Sequence, residues 1–169
     1  DGKQVLTASD DDTARIWNAE TGAVQLMLEG HQNEVASASF SPDGKQIVTA
    51  SWDKTARIWN AETGEVQLTL KGHEHSVTSA SFSPDGKHVV TASWDKTARI
   101  WNAETGAVQL TLKGHEDSVA SMSFSPDGKW VVSASWDKTA RIWNAETGEV
   151  QLTLKGHEDR VTSASFSPD

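Results

Sequence analysis

Residues 73–114 read HEHSVTSASFSPDGKHVVTASWDKTARIWNAETGAVQLTLKG. Within this stretch Ser83, Pro84, Asp85 and Gly86 fit a type I turn, with proline at the second position and glycine at the fourth. The runs His88 to Ala92 and Thr97 to Trp101 are short, apolar and β-branched, and Ser93, Trp94, Asp95 and Lys96 lie between them, which predicts strand, turn, strand. Asn102 to Gly106 predicts another turn. Val108 to Leu112 alternates apolar residues with Gln109 and Thr111, and beyond Gly114 and His115 the run Val119 to Phe124 is a further strand. Helical spacing is nowhere sustained, so each such stretch holds four short strands.

Outward from this stretch the pattern repeats. Gly-His recurs at His31, His73, His115 and His157 with an unbroken period of 42 residues, and Trp17, Trp59, Trp101 and Trp143 keep the same spacing. Residues 43–84 and 85–126 differ only where Gln46, Ile47, Glu65, His75, Thr78 and Ala80 become His88, Val89, Ala107, Asp117, Ala120 and Met122. Such identity marks an array that was recently amplified or engineered. A sheet of four short strands is too thin to fold alone and must stack on its neighbours. The predicted class is all-β, a β-propeller of four-stranded antiparallel blades with four blades' worth in the chain.

Composition narrows the function classes. The chain has no cysteine, so neither a disulfide framework nor a thiolate metal site is available, and the redox compartment stays open. No apolar run approaches the roughly 20 residues that span a bilayer, and Asp1 begins a polar turn rather than a signal peptide, so a soluble chain without a membrane partner is expected. The compartment itself is not written in the sequence, and the cytoplasm is the default. A formal net charge of −9 opposes attraction to phosphate backbones, which argues against nucleic acid as a partner. Eight tryptophans beside no tyrosine again mark copied positions.

Gly72-His73, Ser83-Pro84-Asp85-Gly86, Thr91-Ala92-Ser93, Asp95 and Ala98-Arg99-Ile100-Trp101 resemble the WD-repeat family, and the resemblance covers the whole chain. One departure is plain. The family's Trp-Asp pair at the end of the third strand is Trp-Asn here, at Trp17-Asn18, Trp59-Asn60, Trp101-Asn102 and Trp143-Asn144, while the literal Trp52-Asp53 lies in a turn.

In a four-stranded meander alternate loops share an end, so the Gly-His loop meets the turn between the second and third strands and His73 can reach Asp95. The family resemblance implies a hydrogen-bonded tetrad in which the imidazole bridges an Asp carboxylate and a hydroxyl that accepts from the Trp indole. The implied sets are His31, Thr49, Asp53 and Trp59; His73, Thr91, Asp95 and Trp101; and His115, Ser133, Asp137 and Trp143. Ser93 and its copies compete with Thr91 for the hydroxyl role. Hydroxyl, histidine and aspartate also suggest a nucleophilic triad, but a catalytic set needs an exposed nucleophile and an oxyanion hole, whereas this network recurs in every unit. No enzyme activity and no cofactor are expected. Nor is a metal, because four of the six histidines are in Gly-His positions and Asp10, Asp11 and Asp12 lack the glycine and distal glutamate of a calcium loop.

Aligned on the period, Asp1-Gly2 matches Asp43-Gly44 and Asp169 matches Asp127. Residues 1–169 then form a single array: 1–30 carry strands two to four of a split blade, 31–72, 73–114 and 115–156 are blades, and 157–169 hold the first strand of another. Thr7, Asp11 and Trp17 lack a histidine, and His157 lacks the other three. Open edges invite pairing. Closure on itself makes a tight four-bladed ring, whereas two chains that complete each other's split blade make an eight-bladed ring with a twofold axis, the expected homodimer.

Differences between units point to binding. Trp52, Trp94 and Trp136 precede the tetrad Asp in a turn where the first unit has Asp10, and the family pattern puts this position on the top face. Packing against a neighbouring blade competes there with a contact role, for which exposed Trp is favoured. The loop after Gly-His adds Gln32, Asn33 and Glu34; Glu74, His75 and Ser76; Glu116, Asp117 and Ser118; and Glu158, Asp159 and Arg160, an acidic rim. The expected function is a protein-interaction scaffold that takes a basic or extended peptide on this face. A glycan-binding propeller and a structural propeller without a ligand are the alternatives.

Overall fold

The computed structural model describes residues 2–168, so the expected turn at Asp1 and the alignment of Asp169 lie outside the described residues. Fifteen strands form four antiparallel sheets, and no helix occurs among the described residues. The first sheet is β1 (Gln4–Ala8), β2 (Ala14–Asn18) and β3 (Val24–Leu28). The second is β4 (Val35–Phe40), β5 (Gln46–Ser51), β6 (Thr55–Asn60) and β7 (Val66–Lys71). The third is β8 (Val77–Phe82), β9 (His88–Ser93), β10 (Ala98–Asn102) and β11 (Val108–Leu112). The fourth is β12 (Val119–Phe124), β13 (Trp130–Ser135), β14 (Ala140–Asn144) and β15 (Val150–Leu154). Each sheet is a meander in chain order, and the sheets stack like propeller blades, with β4 against β1 and β8, and β8 against β12.

Turn chemistry sets the strand ends. The amide of Gly86 donates to the Ser83 carbonyl at 2.9 Å, while the Ser83 hydroxyl donates to Asp85 at 2.6 Å and accepts from the His88 amide at 3.0 Å. At the other end of the hairpin Lys96 adopts φ 68°, a left-handed position where glycine would be expected. Asp95 holds it there by accepting from both the amide and the hydroxyl of Thr97, at 2.9 and 2.6 Å. A β-bulge between Ile100 and Trp101 places Trp101 opposite Val108 and recurs between Ile16 and Trp17, Ile58 and Trp59, and Ile142 and Trp143.

The core lies between sheets. Trp101 of the third sheet packs with Val48, Ile58 and Leu70 of the second, Trp143 with Val90, Ile100 and Leu112, and Trp59 with Ala14, Ile16 and Leu28. All three indoles are fully buried. Truncating a side chain of this kind costs about 3–5 kcal/mol, so each sheet owes much of its stability to the one before it.

Residues 157–168 form no strand within the chain, yet they are docked. The Val161 amide donates to the Ser135 carbonyl at 3.0 Å, as Val35 donates to Ser9 at the start of β4. The Ala164 amide donates to the Ser121 hydroxyl at 3.2 Å, as Ala80 donates to Ser37. This segment therefore lies on the fourth sheet as β4 and β8 lie on the sheets before them.

Candidate functional site

At one end of each complete sheet, here the upper end, four side chains form a hydrogen-bonded chain. The Trp101 indole donates to the Thr91 hydroxyl at 2.8 Å, Thr91 lies 2.7 Å from His73 Nε2, and His73 Nδ1 lies 2.7 Å from Asp95 Oδ2. Trp59, Thr49, His31 and Asp53 repeat this at 2.9, 2.7 and 2.7 Å, and Trp143, Ser133, His115 and Asp137 at 2.8, 2.7 and 2.7 Å. An indole can only donate and a carboxylate only accept, so the hydroxyl accepts from Trp and the histidine donates from Nδ1 to Asp, an arrangement completed when the hydroxyl gives its proton to Nε2.

Thr91 rather than Ser93 occupies the hydroxyl position. Ser93 has a separate role, accepting from the Asp95 amide at 3.0 Å and donating to the His75 carbonyl at 3.2 Å, which ties the loop after Gly-His to the turn. Thr97 and its copies Thr55 and Thr139, which sequence reasoning passed over, complete the aspartate's shell, and the recurring Asp-Lys-Thr run was the available signal. The glycine of Gly-His is required by its backbone conformation more than by crowding, since the neighbouring atom is the tip of a flexible arginine. A Cβ on Gly30 would fall 2.6 Å from Arg57 Nη1, and φ there is 148°.

Electrostatics keeps the aspartates ionised. Burial opposes the charge on Asp53, Asp95 and Asp137, but hydrogen bonds from the histidine and the threonine hydroxyl outweigh it and hold each carboxyl well below the usual carboxylate range. Burial also depresses the pKa of His115, against the pull of Asp137. The hydroxyls of Thr49, Thr91 and Ser133 are wholly buried, so no substrate reaches them as it would a triad serine.

The first sheet is built differently. Trp17 donates to Thr7 at 2.8 Å, but Asp11 Oδ2 is held at 2.9 Å by Arg15, taking the place that a histidine holds elsewhere. Thr7 and Asp11 are exposed, as is His157. Among the described residues no cluster of three or more His, Asp or Glu is placed to hold a metal, and no helix is long and apolar enough to cross a membrane.

On the same end, Trp52, Trp94 and Trp136 form a continuous row across three sheets, with ring centroids 5.0 and 5.8 Å apart. Both readings of these residues have a physical basis here, because the rings pack on one another between blades while remaining partly exposed. His75 lies 5.6 Å from Trp94, and the Arg160 guanidinium sits 4.2 Å from the Trp136 ring centre. Asp10, Asp117 and Asp159 are exposed at this end. Ser76 and Ser118 are buried instead, and their carbonyls accept from the Trp94 and Trp136 amides, so their side chains add nothing to the surface.

Stacked meanders, with a tetrad at one end of each complete sheet, define a class of repeat protein in which the sequence unit straddles two blades. The chain belongs to the WD domain, G-beta repeat family, whose profile matches residues 1–18, 22–60, 64–102, 106–144 and 148–169. The match at 22–60 runs from β3, the outer strand of one sheet, through the first three strands of the next. The chain is also similar to Coronin-7 of Mus musculus, at 46% identity over 39 residues, covering 23% of this chain and only 4% of that protein's length.

Thr91→Val leaves the Trp101 donor and the His73 acceptor unpaired and is expected to destabilise the chain by about 2–4 kcal/mol in urea unfolding, whereas Thr91→Ser, the residue found at Ser133, costs under about 1 kcal/mol. Because the folded pKa of His115 lies below its ordinary 6.5, its contribution is complete above that value and is lost as pH falls towards the folded value. The melting midpoint is therefore expected to hold above about pH 6.5 and to drop as pH falls below it, with a smaller drop in His115→Gln, while the aspartates weaken the fold only below their ordinary range.

Proposed function

We propose that this WD-repeat chain is a non-enzymatic binding scaffold whose upper face takes an extended peptide bearing arginine or lysine. The observation that carries this reading is the indole row with a guanidinium already seated on its end, Arg160 over Trp136. The row supplies π faces for cations, and exposed Glu74, Glu116, Asp117, Glu158 and Asp159 surround it with negative charge. Rigid aromatic side chains ordered by their neighbours lose little entropy on binding.

The test replaces Trp52, Trp94 and Trp136 by Asp, the residue that the first sheet carries as Asp10. A fluorescent peptide alternating arginine and serine is expected to bind the native chain and to lose about tenfold or more in the triple variant, read by anisotropy. Attraction by charge alone would instead strengthen with three added carboxylates. That result, or no saturable binding to the native chain, overturns the reading.

We further propose that two copies of this chain pair through their open edges into one eight-bladed ring. Support comes from the free edge of β1 and from residues 157–168, which are placed as an inner strand with no strand beside them in the chain. Added to β1 of a second copy, this segment brings His157 to Thr7, Asp11 and Trp17 and releases Arg15. Light scattering is expected to give twice the 18.3 kDa chain mass, and a single chain mass overturns the pairing.

A further inference from the structure

At the lower end a groove runs between each sheet and the next, and its copies differ. Between the first and second sheets it holds about 390 Å³ beside Gln4, and between the second and third about 440 Å³ beside Gln46. Between the third and fourth it opens to about 740 Å³, within the range of small-ligand sites. The grooves also differ in a side-chain clasp. Gln4 donates to Gln25 at 2.8 Å and Gln46 to Gln67 at 2.7 Å, each joining the second strand to the outer one. In the third sheet His88 stands where those glutamines stand, no clasp forms, and the amide of Gln109 lines the groove. The fourth sheet has Trp130 at the same position, half-buried on the opposite wall.

We infer that this third groove is a saccharide-binding site. The indole of Trp130 offers an apolar face for the C–H side of a pyranose, and among the described residues no other aromatic ring stacks on it, unlike the upper indoles. Sugar hydroxyls both donate and accept, and the walls supply both functions. Gln109 offers a carbonyl and an NH₂, and Glu146 is an exposed acceptor. Asn144 has its carbonyl committed to the amides of Glu146 and Thr147, at 2.9 Å each, which leaves its NH₂ to donate. Charge selects against anions. Lys129 is the groove's one full cation beside two carboxylates, Asp127 and Glu146, so a phosphate or carboxylate ligand meets net repulsion while a neutral polyol does not. This site stands apart from the indole row and does not depend on the peptide reading.

The chain supplies its own control substitutions, because glutamine already occupies the equivalent place in two sheets. Trp130→Gln removes the indole, and His88→Gln permits a clasp onto Gln109 of the kind that Gln46 makes with Gln67. The 169-residue chain is titrated calorimetrically with methyl β-glucopyranoside, methyl β-galactopyranoside and methyl α-mannopyranoside, each to about 20 mM. At least one is expected to bind saturably, to weaken about tenfold or more in each of the two variants, and to bind unchanged in the Trp52, Trp94 and Trp136 triple variant. Thermal unfolding of both Gln variants is checked to show that the fold is kept. No saturable binding by any of the three sugars overturns the proposal, as does binding that survives both Gln variants or is lost only with the upper tryptophans.

Discussion

Each blade depends on one tryptophan that serves two purposes. Trp101 fills the core between its own sheet and the one before, and its indole N–H enters the chain through Thr91 and His73 to Asp95. The two contributions differ in scale. Burial of the ring is worth several kcal/mol and stacks the blades, whereas each hydrogen bond adds about 1 kcal/mol but is directional. Stability thus comes chiefly from the ring, and alignment of the upper loops from the polar chain attached to it. An indole that could pack without donating would hold the sheets together and leave the loops unspecified.

Arg15 shows how the network behaves when a member is missing. Without a histidine, Asp11 takes the nearest cation, and because that pair is exposed it contributes little. In the complete sheets Arg57, Arg99 and Arg141 lie near the faces of their own tryptophans, with ring distances of 5.8 to 5.9 Å, and press against the glycine of Gly-His. Arginine faces that carboxylate oxygen only in the sheet without a histidine, and wherever the imidazole is present it takes the oxygen and also pairs with the buried hydroxyl.

Repetition separates what serves the fold from what serves binding. Residues that recur in the three complete sheets, such as the tetrads and the Asp-Lys-Thr turns, are accounted for by stacking and loop alignment. Some changes are internal, such as Ile47 to Val89, Ala80 to Met122 and Thr91 to Ser133, whereas those that alter the surface lie at the two ends, where His75 gives way to Asp117 above and His88 to Trp130 below. A repeat scaffold can vary such positions at little cost in stability because each sheet contacts only its neighbours.

Period, strand number and turn chemistry were legible in the residues themselves, since alternation, Pro-Asp-Gly turns and copied tryptophans are local signals that survive without coordinates. The strand His88–Ser93 extends only one residue past the run visible in the sequence, because Ser93 pairs with Val77 on the neighbouring inner strand. Choice between Thr91 and Ser93 was not legible, as two hydroxyls two residues apart share one face of a strand, and only the register that sets Trp101 opposite Val89 puts Thr91 nearer the indole. Burial of Ser76 and Ser118, the ring-to-ring contacts of the upper indoles and the widened lower groove were equally hidden. Each arises between sheets, where residues 42 positions apart in the chain become neighbours, so that sequence determined the blade and tertiary stacking decided its surfaces.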